Sequence, residues 1–367
     1  MYLKKIELKN FRNYEKLEIL FDKKINVITG KNAQGKTNLL ESLYIMSLGK
    51  SFRTNKDIDM IGFGKDYFRA KSTSIKEGRE LEIEISIGKE GKIIKINGIK
   101  AERNIDILEN VFMVVFSPED LKIVKDEPEK RRRFIDRELC LLKPVYYKYL
   151  GRYKKILQQR NSLLKQQEIN EDLLAVWDEN LAEYGAKIIQ ERSHFIEKLN
   201  VISRDISTRI TNGKEKLEIS YESNVEKKES LAEQKYYLKK ALSKNIKYDI
   251  FRRNTSVGPH KDDMILTIEG IDIRRFGSQG QQRTAALSLK LAEIKMIKEE
   301  TGFSPILLLD DVLSELDQER QKFLIESMEE VQLFITTTEL NEELKKHLWK
   351  GKIFLVEKGK VTKMEKI

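Results

Sequence analysis

The stretch that limits this chain most is Gly30-Lys31-Asn32-Ala33-Gln34-Gly35-Lys36-Thr37, which fills every fixed position of the pattern G-x-x-x-x-G-K-[ST]. Two glycines at that spacing let the backbone curl until successive N–H groups point inward at the oxygens of a triphosphate. Lys36 adds positive charge for the β- and γ-phosphates, and the Thr37 hydroxyl is placed to ligate Mg²⁺. Ile25, Val27 and Ile28 make a short apolar run before the loop, and Leu39, Leu40, Leu43, Tyr44 and Met46 follow at helical spacing. Strand, loop and helix in that order put the phosphates at a helix N-terminus, where free N–H groups and the helix dipole favour an anion. The alternative is an ordinary glycine turn ahead of an amphipathic helix. The predicted nucleotide-binding set is Gly30, Lys31, Asn32, Ala33, Gln34, Gly35, Lys36, Thr37 and the adjoining Asn38, with ATP and Mg²⁺ as ligands.

A length of 367 residues exceeds what one core usually fills, so two domains are expected. Residues 2 to 22 read as two antiparallel strands around Phe11-Arg12-Asn13-Tyr14, leading into the strand of the loop. After a loop from Ser51 to Gly64 comes a β-rich lobe. Its clearest strand, Leu81 to Ile87, alternates strictly; one wet face follows, hence an antiparallel sheet. From about Ser117 to about residue 250 the apolar spacing is helical, in three runs of about 30 to 50 Å each, enough for a helical subdomain but not a long coiled-coil arm. The strand pattern then resumes: Met264 to Ile273, Ser304 to Asp311, Val331 to Ile335 ending in Thr336-Thr337-Thr338, and a terminal hairpin opening with Ile353 to Val356. The expected fold is therefore α/β, a nucleotide-binding domain of mixed sheet and antiparallel lobe split between 1–116 and 251–367, with a helical domain inserted at 117–250.

Ser304-Pro305-Ile306-Leu307-Leu308-Leu309-Asp310-Asp311 is a buried strand that ends in two acids. A parallel strand delivers such residues to the carboxyl edge of the sheet, where the phosphate loop also opens. In phosphoryl transfer one acid holds Mg²⁺ and its neighbour positions the attacking water. Asp310 is assigned to the metal together with Thr37, Asp311 to the water, and Lys36 completes the catalytic set. A second constellation, Phe276-Gly277-Ser278-Gln279-Gly280-Gln281-Gln282-Arg283-Thr284, stands before a helix and offers a further anion seat through Ser278, Gly280 and Gln281, although alone it also reads as a plain helix cap.

One chain does not need two seats for one triphosphate. With Ser314-Glu315-Leu316-Asp317 after the acids, the second seat resembles the signature of ABC-type ATPases, in which it binds the γ-phosphate held by the opposite subunit. Phe11 to Tyr14, Gly30 to Thr37, Ser51-Phe52-Arg53-Thr54, Gly258-Pro259-His260-Lys261-Asp262-Asp263, Ser278 to Thr284 and Leu309-Asp310-Asp311 together resemble the bacterial RecF family. That resemblance covers nearly the whole chain. It implies an ABC-type ATPase domain similar to the heads of SMC proteins, ATP-dependent homodimerisation on duplex DNA and, with RecR and RecO, loading of RecA at gaps.

The net charge of +10 fits a polyanionic partner such as DNA, but in a chain that is 35% charged it also fits ion-pair networks. Lys130, Arg131, Arg132, Arg133 and Arg137, followed by Arg152, Lys154 and Lys155, are either phosphate contacts or salt-bridge partners. No base-reading motif is visible, so DNA form rather than sequence should govern binding. No apolar run reaches the roughly 20 residues of a membrane span and the N-terminus has no signal-peptide core, so a cytoplasmic protein is expected. Cys140 stands alone, which excludes an intrachain disulfide. Of the rival classes, a GTPase or phosphoryl-transfer kinase is disfavoured because Asn55-Lys56-Asp57-Ile58 misses N-K-x-D at its last position and the second seat has no role in such enzymes. A transporter subunit and a scaffold that binds ATP without hydrolysing it remain, the latter opposed by the two acids.

Overall fold

A computed structural model describes residues 1–108, 110–328, 330–338 and 351–364. The chain forms two compact units, residues 1–121 with 293–367, and residues 122–292. The first begins with strands β1 (Tyr2–Phe11) and β2 (Tyr14–Leu20), a hairpin whose tight turn holds Arg12 at a φ of 50°. Strand β3 (Ile25–Thr29) feeds the phosphate loop and helix α1 (Lys36–Leu48). Strands β4 (Phe68–Lys76), β5 (Arg79–Gly88), β6 (Gly91–Ile96) and β7 (Ile99–Lys100) complete an antiparallel sheet of order β2-β1-β4-β5-β6-β7. The alternation in β5 does what its period demands: Ile83, Ile85 and Ile87 are buried, Ile83 opposite Ile96 and Ile85 opposite Ile94. Phe11 meets Phe68 edge to face at 5.1 Å beneath the hairpin turn. Strand β8 (Met113–Phe116) closes this half of the unit.

The second unit carries α2 (Pro128–Leu142) and α3 (Pro144–Leu163), each with proline in its first turn, where the missing N–H costs nothing. Then come α4 (Glu171–Ile210), β9 (Leu217–Glu222), α5 (Leu231–Lys244), α6 (Ile246–Arg252), β10 (Asp263–Ile268), β11 (Ile271–Asp272), the short α7 (Ile273–Phe276) and α8 (Gln279–Thr301), whose C-terminal part belongs to the first unit. Three features depart from the sequence reading. Helix α4 has 40 residues, so at 1.5 Å each it spans about 60 Å and exceeds the expected range. The unit is not purely helical, because β9 pairs with β10 along its whole length. That pairing, with the Arg131–Asp263 ion pair, ties residues 251–292 to the helical unit, whereas the expected boundary placed them in the nucleotide-binding domain.

The basic cluster on α2 is largely spent on structure. Arg131 is buried and grips Asp263 through two hydrogen bonds of 2.7 Å; Arg132 donates to the Asp262 carbonyl, Arg133 pairs with Glu129, and Arg137 with Glu138. Arg152, Lys154 and Lys155 are exposed. Two further buried arginines were not anticipated: Arg160 binds Asp178 and Asp249, and Arg192 binds Asp136 and the Pro259 carbonyl.

In the first unit β12 (Ile306–Asp310), β13 (Leu333–Thr337), β14 (Lys352–Glu357) and β15 (Lys360–Met364) complete a second sheet of order β15-β14-β3-β13-β12-β8, with α9 (Gln318–Glu326) between β12 and β13 in the chain. All neighbours are parallel except the β14–β15 hairpin. Gln332 stitches β1 to this sheet: its amide accepts from the Leu3 N–H at 2.6 Å and donates to the carbonyls of Leu3 and Asp22. The register sets Thr336 beside both Ile28 and Asp310, so the ends of β3, β13 and β12 open at one edge.

Candidate nucleotide-binding site

At that edge lies a cavity of about 270 Å³ lined by Asn32, Ala33, Gly35, Lys36, Thr37, Asn38, Arg53, Asp310, Asp311 and Thr336. The loop leaves β3 at Gly30, whose φ is 147° and whose missing Cβ would lie 2.3 Å from the Val356 carbonyl; no other residue fits beside β14. Gly35 precedes the first turn of α1, which contains no acid, so nothing there competes with an anion for the free N–H groups. Lys36 is buried and donates to the carbonyls of Gly30 at 2.5 Å and Lys31 at 3.2 Å; burial lowers its pKa.

Thr37 donates to Asp310 Oδ1 at 2.9 Å, and Thr336 donates to the same oxygen at 2.9 Å. Burial raises the Asp310 pKa, while the hydrogen bonds from Thr336 and Thr37 pull it back in part. A hydroxyl and a buried carboxylate oxygen within hydrogen-bonding distance suit a hard, oxygen-seeking cation that keeps most of its other ligands as water or phosphate, and such a cation would reverse the carboxylate's shift. The donor set therefore fits Mg²⁺. Asp311 holds a positive φ of 55°, and its N–H donates to Thr336 Oγ1 at 2.9 Å. That conformation turns the chain sharply after β12 and leaves both neighbouring acids on the cavity wall.

Sequence reasoning missed the frame around the loop. Tyr14 donates its hydroxyl to the Gly35 carbonyl at 3.0 Å, and Asn13 donates to the Gln34 carbonyl at 2.9 Å and accepts from Asn38. Gln34, expected to serve the nucleotide, uses its side chain on the protein, accepting from the Lys358 N–H at 2.7 Å. Glu41, fully buried on α1, receives Arg12 through two bonds of 2.8 and 2.7 Å, the Ser51 hydroxyl at 2.5 Å and Arg53 at 3.4 Å. Arg53, also bonded to Asn38 at 2.7 Å, is a second cation on the cavity wall. The sequence marks Arg12, Asn13, Tyr14, Ser51 and Arg53 only through the runs 11–14 and 51–54, which carry the family resemblance, and gives no signal for Glu41.

The second anion seat starts α8. Ser278 and Gln281 form a reciprocal cap: the Gln281 N–H donates to Ser278 Oγ at 3.2 Å, and the Ser278 N–H donates to Gln281 Oε1 at 2.9 Å. Helix therefore begins at Gln279 rather than after the motif, and Ser278 and Gln279 are exposed. Ser278, Gly280 and Gln281 belong to the second unit, whereas every residue lining the phosphate-loop cavity belongs to the first.

The family model for the RecF/RecN/SMC N terminal domain matches residues 2–361. The chain is 45% identical to the DNA replication and repair protein RecF of Clostridium botulinum, over 99% of this chain and 100% of that protein. The chain belongs to the RecF family. The RecF of Agathobacter rectalis is 45% identical over 98% of this chain and 99% of its own length. A solved structure of the recombination mediator protein RecF-ATPrS in the RecFOR pathway superposes with a TM-score of 0.93 at 40% identity, covering 99% of this chain and 98% of that one. The corresponding RecF-ATP structure gives 0.91 at the same identity and coverage. These full-length matches make the two-sheet unit and the helical unit a shared RecF architecture. Among the described residues no helix is long and apolar enough to cross a membrane.

Proposed function

We propose that this RecF-family chain is an ATP-dependent DNA-binding repair protein whose ATP-bound homodimer clamps duplex DNA near gaps and, with RecR and RecO, promotes RecA loading. Slow ATP hydrolysis then drives dissociation. The observation that carries the nucleotide chemistry is the joining of Lys36, Thr37, Asp310 and Asp311 on one cavity, with Thr37 and Asp310 in direct contact. The DNA and partner assignments rest on similarity to RecF proteins of known structure in the RecFOR pathway.

The loop N–H groups bind the phosphates, and the Lys36 ammonium exchanges its loop carbonyls for phosphate oxygens. Thr37 and Asp310 would hold Mg²⁺, which when bound supplies positive charge to the β- and γ-phosphate oxygens. Asp311 accepts a hydrogen bond from the attacking water and orients it, while Arg53 adds positive charge at the wall. Ser278, Gly280 and Gln281 serve the nucleotide of the opposite subunit, which makes the dimer the hydrolytic unit.

Sedimentation velocity with ATP, with ADP and without nucleotide, each with and without duplex DNA, tests the reading. A dimer formed only with ATP, and retained on the duplex, is expected. A monomer under all conditions would overturn it.

A further inference from the structure

Helices α5 and α6 follow each other with only Asn245 between them, and the Asp249 N–H donates to the Asn245 carbonyl, so the helical ribbon is nearly continuous. One side is anchored by Gln234, Leu238 and Leu242, four residues apart and buried. Two residues further round, about 200° away, Tyr236, Lys240 and Lys244 repeat at the same spacing on the exposed side. On α6, Lys247, Tyr248, Phe251 and Arg252 occupy one face, with the Arg252 guanidinium 5.9 Å from the Tyr248 ring. From Tyr236 to Phe251 the ribbon runs for about 22 Å.

The charge of this ribbon departs from the rest of the chain. The protein has 69 basic and 59 acidic residues, yet residues 235–253 contain seven Lys or Arg and one acid, Asp249. Asp249 is fully buried on Arg160. Lys235 and Lys239 pair with Glu179 of α4, which leaves Lys240, Lys244, Lys247, Arg252 and Arg253 without an acidic partner among the described residues. The aromatic side chains are equally unusual: Tyr236 is 61%, Tyr248 52% and Phe251 79% exposed, with Tyr236 resting edge to face on Tyr237 at 5.6 Å. Large rings left this open to water are not spent on the core, and cations alternate with them along the stripe.

We infer that the exposed stripe of α5 and α6 is a binding track for single-stranded nucleic acid, with the lysines and arginines on its phosphates and Tyr236, Tyr248 and Phe251 stacked on its bases. The aromatic rings decide between partners. A duplex keeps its bases stacked inside and offers the rings no face, whereas unpaired bases do; an acidic peptide would use the cations and leave the rings idle. A gap presents duplex and single strand together, and this track would take the latter. The inference rests on the proposed DNA-binding function.

The test uses the full-length protein with ATP and Mg²⁺, reading fluorescence anisotropy of a labelled oligothymidylate of about twenty nucleotides and of a random-sequence duplex of similar length. Tyr248→Ala with Phe251→Ala removes two stacking faces and should weaken oligothymidylate binding by about thirtyfold, with duplex binding changed less than about twofold. Lys240→Ala with Lys244→Ala should lower the salt slope of single-strand binding by about 1.4, two phosphate contacts' worth. All four side chains are exposed, and a melting curve confirms that each variant is folded. Single-strand binding that survives both variants while wild-type duplex binding stands would overturn this inference alone. Loss of affinity equal for single strand and duplex would also overturn it, as would polyglutamate or phosphatidylserine vesicles whose binding falls with the aromatic variant while the oligonucleotide's does not. A wild-type protein that binds neither nucleic acid overturns the DNA-binding function itself.

Discussion

Glu41 is the strut on which the walls of the nucleotide cavity lean, and Glu41→Ala should show it. The carboxylate is fully buried and takes both nitrogens of a fork from Arg12, whose own side chain is 20% exposed. Removing one member of a fully buried pair costs about 3–5 kcal/mol, and the partial exposure of Arg12 puts this case at the lower end, about 3 kcal/mol. The Arg53 bridge is longer and its side chain is 41% exposed, so it adds little to stability. For a unit of this size each kcal/mol moves the melting temperature by about 2–4 °C, so a fall of about 6–12 °C is expected in the calorimetric transition of the nucleotide-binding unit. Glu41→Gln keeps the shape and one acceptor oxygen and should cost about 2 kcal/mol. Arg53→Ala should barely move the transition, yet both it and Glu41→Ala should weaken ATP binding, because Glu41 and Asn38 hold Arg53 on the cavity wall. A Glu41→Ala protein that melts within about 2 °C of wild type would refute the strut.

Asp311→Asn should abolish most hydrolysis while leaving ATP binding and ATP-driven dimerisation, whereas Lys36→Ala should lose binding itself; equal loss of ATP binding in both, by equilibrium titration, would contradict the division of roles. Gly359 has a φ of 73° and its missing Cβ would lie 2.2 Å from the Asn13 carbonyl, so Gly359→Ala should displace the turn that holds Gln34 and weaken ATP binding by about tenfold. Gly213→Ala, at a similar φ of 77° but facing open space, is the control that should leave ATP affinity unchanged. His260 accepts from Tyr153 at Nδ1 and donates from Nε2 to the Thr255 carbonyl, and burial lowers its pKa to about 4. The unfolded chain takes up that proton near pH 6.5 and the folded one only near 4, so this contribution is intact above pH 6.5 and is lost on acidification through that window, on the order of 3 kcal/mol in all. The burial-raised pKa values of Asp178 and Asp262 act in the opposite sense. The difference between wild type and His260→Gln in urea melts from about pH 4 to about pH 7 isolates the histidine.

What could be read from sequence followed from local pattern. Strict alternation in residues 81–87 and the glycine spacing at 30 and 35 each force a local backbone, and both elements appear where expected. The acids after the apolar run 306–309 reached the loop because a parallel strand has one place to deliver its end. Strand β9 alternates too, as Leu217, Ile219 and Tyr221, but its six residues sit among long helical runs, and its partner lies beyond α5 and α6. Nothing local marks Arg131, Arg160 or Arg192 as buried, since a charge reads as solvated until its partner is known, and Asp263 is 132 residues from Arg131. The same holds for Thr336, Glu41 and the Lys358–Gly359 turn: they matter through register and packing, which the sequence states only when folded.

The proposal that each site is shared between two subunits is tested most directly by mixing two inactive chains. Lys36→Ala has a dead loop and a sound Ser278 seat, and Ser278→Arg has the reverse. Neither homodimer contains a working site, but one of the two sites in a mixed dimer joins a sound loop to a sound seat. Equal mixing should restore about a quarter of wild-type ATPase, with ATP occluded in the mixed dimers. Mixed dimers verified by crosslinking that neither occlude nor hydrolyse ATP would contradict the account.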